Sequence, residues 1–236
     1  MRWLITSLDP AAALRAKLGG ALPDLVAMST LAYLAGAGAV RVGVNEDGRP
    51  ISEADLRDLA RTPAGLELRM TPAPTLVKVA LETRPQRVLL ASEARDGSGA
   101  PVPLDFHAWG SALAPVVRTL EEAGIEVAVL VSPELEAVKS AHAADAGSVE
   151  LYTARLVDLP QTERGEALEG LASASRLAAK LRLHVGVGGW LDERSAARVL
   201  EAAPVSEWLA AGRAWAARCL LVGVDTATRD LRAALG

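Results

Sequence analysis

The sequence predicts an α/β fold, a (β/α)8 TIM barrel folded as a single domain over residues 1–236. Three observations point that way. Short aliphatic or β-branched runs alternate with longer Ala/Leu/Arg segments of helical spacing. Eight such pairs fit within 236 residues. The runs are apolar at nearly every position, as in Val127-Ala128-Val129-Leu130-Val131, the pattern of parallel strands buried on both faces. The same alternation also permits an open doubly wound sheet.

The first strand is Leu4–Ser7. The uncharged run Leu25–Val40 reads as a buried helix, Leu25–Leu34, leading into a second strand, Ala39–Val44. Ser52-Glu53-Ala54-Asp55 places an acidic residue three positions after a capping serine, which starts a helix over Glu53–Ala60 ahead of strand Leu66–Met70. A helix over Thr75–Glu82 stops at Thr83-Arg84-Pro85, and strand Arg87–Ala91 follows. Arg95–Asp105, rich in Gly and Pro, is irregular: a lid or a long loop. A helix over Trp109–Glu122 ends at Glu122-Ala123-Gly124, before strand Glu126–Val131. Glu134–Ala143 is helical up to the stop at Ala146-Gly147, where strand Ser148–Tyr152 begins. Thr162-Glu163 marks a helix start, with the helix centred on Glu166–Leu181. Strand Leu183–Val187, helix Arg194–Ala202, strand Trp208–Ala211 and a helix from Trp215 complete eight units.

Composition narrows the function classes. Half the residues are apolar and 23% are charged, which excludes general disorder. A net charge of −4, with only five Trp, two Tyr and one Phe, argues against nucleic-acid binding, which needs cationic surfaces and stacking platforms. The single cysteine, Cys219, forms no internal disulfide and builds no cysteine metal site. No two of His107, His142 and His184 have ligand spacing, so no metal is expected. Lys17, Lys78, Lys139 and Lys180 fall in helices or loops, leaving a Schiff-base lysine on a strand unsupported. The N-terminal apolar stretch meets Asp9 too early for a secretory signal. The sixteen-residue run Leu25–Val40 falls short of the roughly 20 residues of a membrane span. A soluble cytoplasmic protein without membrane contact is expected.

In a barrel, function belongs to the C-terminal strand ends. Those ends carry Ser7 and Asp9; Asn45; Arg69; Glu150 and Tyr152; Gly188 and Gly189; and Gly212 and Arg213. Gly188, Gly189 and Gly212 allow close backbone approach and Arg213 adds a positive charge, as a phosphate site in loops seven and eight requires. These glycines could equally serve only to turn the chain. Gly186-Val187-Gly188-Gly189 lacks the third glycine and acidic residue of a dinucleotide fingerprint. Glu150, inside an apolar strand, is the leading carboxylate for acid–base work or else half of a buried ion pair, with Arg69 as its candidate partner. Asn45-Glu46-Asp47-Gly48 reads as a polar turn. His184 lies at the wrong end of its strand, and His107 and His142 fall at helix ends facing solvent.

Ordered segments run along most of the chain: Arg15 with Pro23-Asp24; Glu46-Asp47, Arg49 and Ile51-Ser52; Ala80-Leu81-Glu82-Thr83-Arg84-Pro85; Ala123-Gly124-Ile125-Glu126-Val127; Val149-Glu150-Leu151-Tyr152-Thr153; and Gly188 with Gly212 and Arg218. In this order and spacing they resemble the pyridoxine 5'-phosphate synthase family of vitamin B6 biosynthesis. The resemblance implies a (β/α)8 barrel, a homo-oligomer (usually an octamer), and condensation of 3-amino-2-oxopropyl phosphate with 1-deoxyxylulose 5-phosphate without a metal or other cofactor. It also exposes departures. Gly43 and Asn45 stand where the family places a catalytic histidine and arginine. Arg69 stands for the strand-three glutamate, Gly189 for the strand-seven histidine, and Trp190 for the glycine after it. Ser7-Leu8-Asp9-Pro10 replaces the family's first-strand asparagine-x-aspartate-histidine, Arg213 replaces a histidine, and the lid after strand four keeps only Asp105. Glu150 is then the remaining proton-handling group, and the family reaction is expected to be impaired or changed. Two alternatives stay open. One is a repurposed enzyme on another phosphorylated small molecule, using Glu150 with Asp9 or Tyr152. The other is a non-catalytic barrel that binds a phosphorylated metabolite or a partner subunit.

Overall fold

A run that is apolar at every position hides itself only in a sheet covered on both sides, and here the sheet closes on itself. The computed structural model describes residues 3–95 and 101–235, the side chains at 157 and 158 apart. Eight parallel strands pair in sequence order into a closed barrel. They are β1 (Trp3–Ser7), β2 (Ala39–Gly43), β3 (Gly65–Met70), β4 (Arg87–Leu90), β5 (Glu126–Val131), β6 (Ser148–Tyr152), β7 (His184–Gly189) and β8 (Trp208–Ala211). Closure comes from β8 lying beside β1, with Trp208 opposite Trp3 and Ala210 opposite Ile5. The closed order decides between the barrel and the open sheet.

The helices are α1 (Asp9–Leu18), α2 (Leu25–Leu34), α3 (Glu53–Leu59), α4 (Pro74–Thr83), α5 (Phe106–Trp109), α6 (Leu113–Glu122), α7 (Leu135–Ala143), α8 (Ala154–Asp158), α9 (Gln161–Lys180), α10 (Glu193–Ala202) and α11 (Arg213–Ala233). Side-chain caps start α2, α3, α5 and α10. Ser52 and Asp55 form the expected capping box, and Asp24 caps α2 through the N–H groups of Val26 and Ala27. The stops hold as well: Arg84 closes α4 in the left-handed region, with φ 51° and ψ 56°, directly before Pro85.

Three helices go beyond the sequence reading: α1, α5 and α8. The first begins at Asp9-Pro10 and buries only Ala11 and Ala12, so it carries little apolar periodicity to recognise. The helix expected from Trp109 breaks instead at Gly110 (φ 47°, ψ −130°), and α6 proper starts at Leu113. Helix α9 begins at Gln161, directly after Pro160 and without a side-chain cap, so Thr162 is not its capping residue. Of the irregular stretch Arg95–Asp105, residues 96–100 lie outside the described residues. Its flanks are tied by an Arg95–Pro101 bridge, and Asp105 caps α5.

Alternate strand residues divide between two cores. Leu4, Val40, Leu68, Val88, Val129 and Leu209 pack outward against the helices. Ile5, Ala39, Leu89, Ala128, Leu130 and Ala210 point into the barrel. Among the described residues, no helix is long and apolar enough to cross a membrane.

Candidate functional site

The interior positions of several strands are charged rather than aliphatic, and strand register brings those charges together. Arg41 on β2 lies opposite Glu67 on β3, and Glu67 lies opposite Arg87 on β4. The Arg41 guanidinium donates to Glu67 and, across the barrel, to both oxygens of Glu150 on β6, with Nη1–Oε1 at 2.8 Å. Arg87 Nε donates to the other Glu67 oxygen at 2.7 Å. Trp208 Nε1 donates to Glu150 Oε2 at 2.9 Å, and the Arg87 guanidinium lies 4.2 Å above the Trp208 ring. Glu67 and Glu150 are each 1% exposed. Charges so deep are stable only when paired and fully hydrogen-bonded, and two arginines against two glutamates meet that condition. Glycines on β7 make the room. A Cβ on Gly186 would collide with the Trp208 indole, and one on Gly188 with the Glu150 carboxylate.

This arrangement corrects two sequence expectations. The partner of Glu150 is Arg41; Arg69 pairs with Asp9 instead, at 2.8 Å. Strand three also keeps a buried glutamate, Glu67, two residues before Arg69, so Glu150 is not the only interior carboxylate left.

The Asp9–Arg69 pair sits one layer nearer the strand C-termini. Burial would raise the Asp9 pKa, but Arg69, the Gly43 N–H at 2.6 Å, Arg95 and Arg41 together hold it below the ordinary carboxylate value. Glu67 is likewise lowered, with burial outweighed by Arg41 and Arg87. Burial lowers the pKa of Arg69, with Asp9 opposing. Gly43 is glycine because Arg69 fills the space where its Cβ would lie. Gly189, at φ 155°, is equally constrained: a Cβ would sit 2.6 Å from the backbone nitrogen of Ala154.

Above these layers a cavity of about 390 Å³ opens at the C-terminal mouth. Glu150, Ser7, Asp9, Asn45, Arg69, Tyr152, Gly188, Gly189, Gly212 and Arg213 all line it. The sequence reading passed over Arg41 and Arg95, which also line it, and over Glu67, Arg87 and Trp208 beneath. Trp190 does not close the cavity. It is a wall residue, with the Arg213 guanidinium stacked 3.1 Å from its ring centroid. His107 and His142 are exposed, and His184 is also exposed, bonded to Glu207 at 2.8 Å on the opposite face of the barrel.

The ionisable side chains lining the cavity are Arg41, Arg69, Arg95 and Arg213 against Asp9 and Glu150. Among the described residues Arg95 and Arg213 form no ion pair, and the described lining of the mouth has two surplus positive charges. Helix α11 starts at Arg213 in the wall, and its first-turn N–H groups have no partner within the helix. Among the described residues no three His, Cys, Asp or Glu side chains gather as a metal site would need.

Known proteins resemble this chain in sequence and in architecture. Residues 4–236 match the family model of the pyridoxal phosphate biosynthesis protein PdxJ. A pyridoxine 5'-phosphate synthase from Desulfatibacillum aliphaticivorans is 32% identical over 234 residues, covering 99% of this chain and 98% of that protein. One from a Synechococcus species is 34% identical over 232 residues, covering 98% and 97%. Among solved structures, the tryptophan synthase alpha subunit of Legionella pneumophila superimposes with a TM-score of 0.66 at 16% identity, over 99% of this chain and 92% of that one. Thiamine phosphate pyrophosphorylase from Pyrococcus furiosus gives 0.62 at 16% identity, over 99% and 95%. Those two likenesses concern the fold alone. The family match over nearly the whole chain is of another order: the chain belongs to the PdxJ family of pyridoxal phosphate biosynthesis proteins.

Proposed function

We propose that this chain binds the small phosphorylated substrates of the pyridoxine 5'-phosphate synthase reaction at the barrel mouth, and that its ring-closing turnover is impaired. One observation carries the reading: Arg41 joins both interior carboxylates, Glu67 and Glu150, in a closed set of ion pairs. A carboxylate whose oxygens already accept from a guanidinium and an indole N–H is poorly placed to take a proton from substrate. The positions at which the family resemblance expects histidine on strands two and seven hold Gly43, whose Cβ space is taken by the Arg69 guanidinium, and Gly189, which packs against the Ala154 backbone. General acid–base groups typically contribute about 10²–10⁴-fold each, so losing two leaves a slow reaction. The cationic mouth, by contrast, supports retained binding of phosphate esters.

Calorimetric titration with 3-amino-2-oxopropyl phosphate and with 1-deoxyxylulose 5-phosphate tests the binding half. Heat of binding is expected for at least one of them, weakened about tenfold by Arg213→Gln through loss of a charge-assisted bond. Glu150→Gln should leave that affinity within a few-fold. Binding of neither ester, or indifference to Arg213→Gln, contradicts the reading.

We also infer that the chain works as a cytoplasmic homo-oligomer. Leu220 and Leu221 on α11 are 79% and 80% exposed, and Leu18, Leu22 and Leu34 are exposed on the neighbouring α1–α2 segment. Apolar side chains as exposed as these are covered when a second copy packs on α11. Sedimentation should return a multiple of the chain mass; a monomer at micromolar concentration overturns this part.

A further inference from the structure

We propose that the chain carries a second anion site, separate from the barrel mouth, in the pocket between α8, α9 and α10, and that it takes a phosphate group or a small phosphate ester. The pocket has a volume of about 210 Å³, and three arginines line it: Arg164 from α9, and Arg194 and Arg198 from α10. Residues 194 and 198 stand four apart on one helix, so they share a face. Arg164 approaches from the facing helix.

Two features distinguish this cluster from an ordinary solvated charge group. The first is an orphaned donor. Arg164 Nη2 donates to the Leu159 carbonyl at 2.8 Å, but its Nε is buried and has no hydrogen-bond partner. A buried guanidinium N–H left unsatisfied is costly, and a turn of the side chain that gives Nε an oxyanion acceptor from the pocket would relieve it. The second is the charge balance. Neither Arg194 nor Arg198 forms an ion pair among the described residues. Among the described side chains the one carboxylate in the lining, Asp192, is committed to the α10 cap, accepting from Ser195 N at 2.8 Å and Ser195 Oγ at 2.6 Å. Among those side chains three guanidinium groups stand against one carboxylate, a surplus of two positive charges that matches a phosphate dianion. Leu156, Leu168 and Val199 complete the lining, giving the non-phosphate end of an ester an apolar surface.

None of these residues lines the mouth cavity. The β7–α10 connection separates the two: Gly189 and Trp190 face the mouth, and Asp192 faces the second pocket.

The test is titration with inorganic phosphate at low ionic strength, read by calorimetry and by 31P line broadening, on three proteins. These are the native chain, the double variant Arg194→Gln/Arg198→Gln, and the mouth variant Arg213→Gln. Arg194 and Arg198 are exposed, so the double variant keeps its fold, which circular dichroism checks. The native chain is expected to bind two phosphates. The double variant should lose one, with affinity at that site down about tenfold or more, as expected for two lost charge-assisted bonds. The mouth variant should lose the other and retain this one. Equal stoichiometry in the native chain and the double variant overturns the proposal, as does a mouth variant that binds no phosphate. If only one phosphate binds and the double variant abolishes it, this site stands and the mouth reading fails, so the two failures are distinguishable.

Discussion

Arg41 decides what the interior of this barrel can do. It sits mid-strand on β2, one layer below the strand ends where barrel chemistry is usually sought, and its partners lie 26 and 109 residues away in sequence. Nothing local in Ala39–Gly43 announces those partners; only strand register and barrel closure bring them into one layer. Glu150 was legible as a charge that must be paired, but the identity of its partner was not, because Arg69 and Arg41 both face inward from adjacent strands. The glycines were legible as places of close approach, but what approaches them was hidden. Gly43 admits Arg69, Gly186 admits Trp208 and Gly188 admits Glu150. Two stability predictions belong here. Arg41→Met leaves two buried carboxylates short of a partner and should lower the unfolding free energy by about 3–5 kcal/mol, measured by urea denaturation. Gly43→Ala forces Arg69 from its place and should cost about 1–3 kcal/mol. A loss below about 0.5 kcal/mol in either case contradicts the packing described.

At the scale of elements, the strands and most helices were readable from their apolar spacing and stop signals. The helices α1, α5 and α8 were not, since α1 buries only Ala11 and Ala12 and α5 and α8 are about one turn each. Asp9 shows how one side chain joins elements. It lies just past β1, accepts the Gly43 N–H from β2 and pairs with Arg69 from β3. Its pKa in the folded chain is below its unfolded value, and the same holds for Glu67. Such groups contribute stability that is fully present above the unfolded value, about 4 for carboxylates. It is lost as pH falls through the folded value. Thermal melts from pH 7 down to pH 3 should therefore show a flat region followed by an acid decline. Asp9→Asn should lower the plateau and flatten the decline; an unchanged acid limb would show that Asp9 is not charge-paired as described.

For the whole molecule, the net charge of −4 conceals a local reversal. Among the described residues the mouth holds four arginines against two carboxylates, so an acidic protein carries a cationic cavity. Overall charge gave no hint of the reversal, which arises only when strand ends from across the chain meet at one face. The same closure gathered all ten expected site residues around a single cavity. It also revealed that the interior beneath is a closed set of ion pairs, with no free base and no histidine. The central claim is that phosphate-ester binding survives while ring closure is largely lost. The most direct test follows both substrates together with the purified chain by 31P NMR, recording substrate line broadening and product growth in one experiment. The account predicts broadened substrate signals and pyridoxine 5'-phosphate formation at least about 10³-fold below an ordinary enzyme turnover of roughly 10 s⁻¹. Product appearing at that ordinary rate would contradict it.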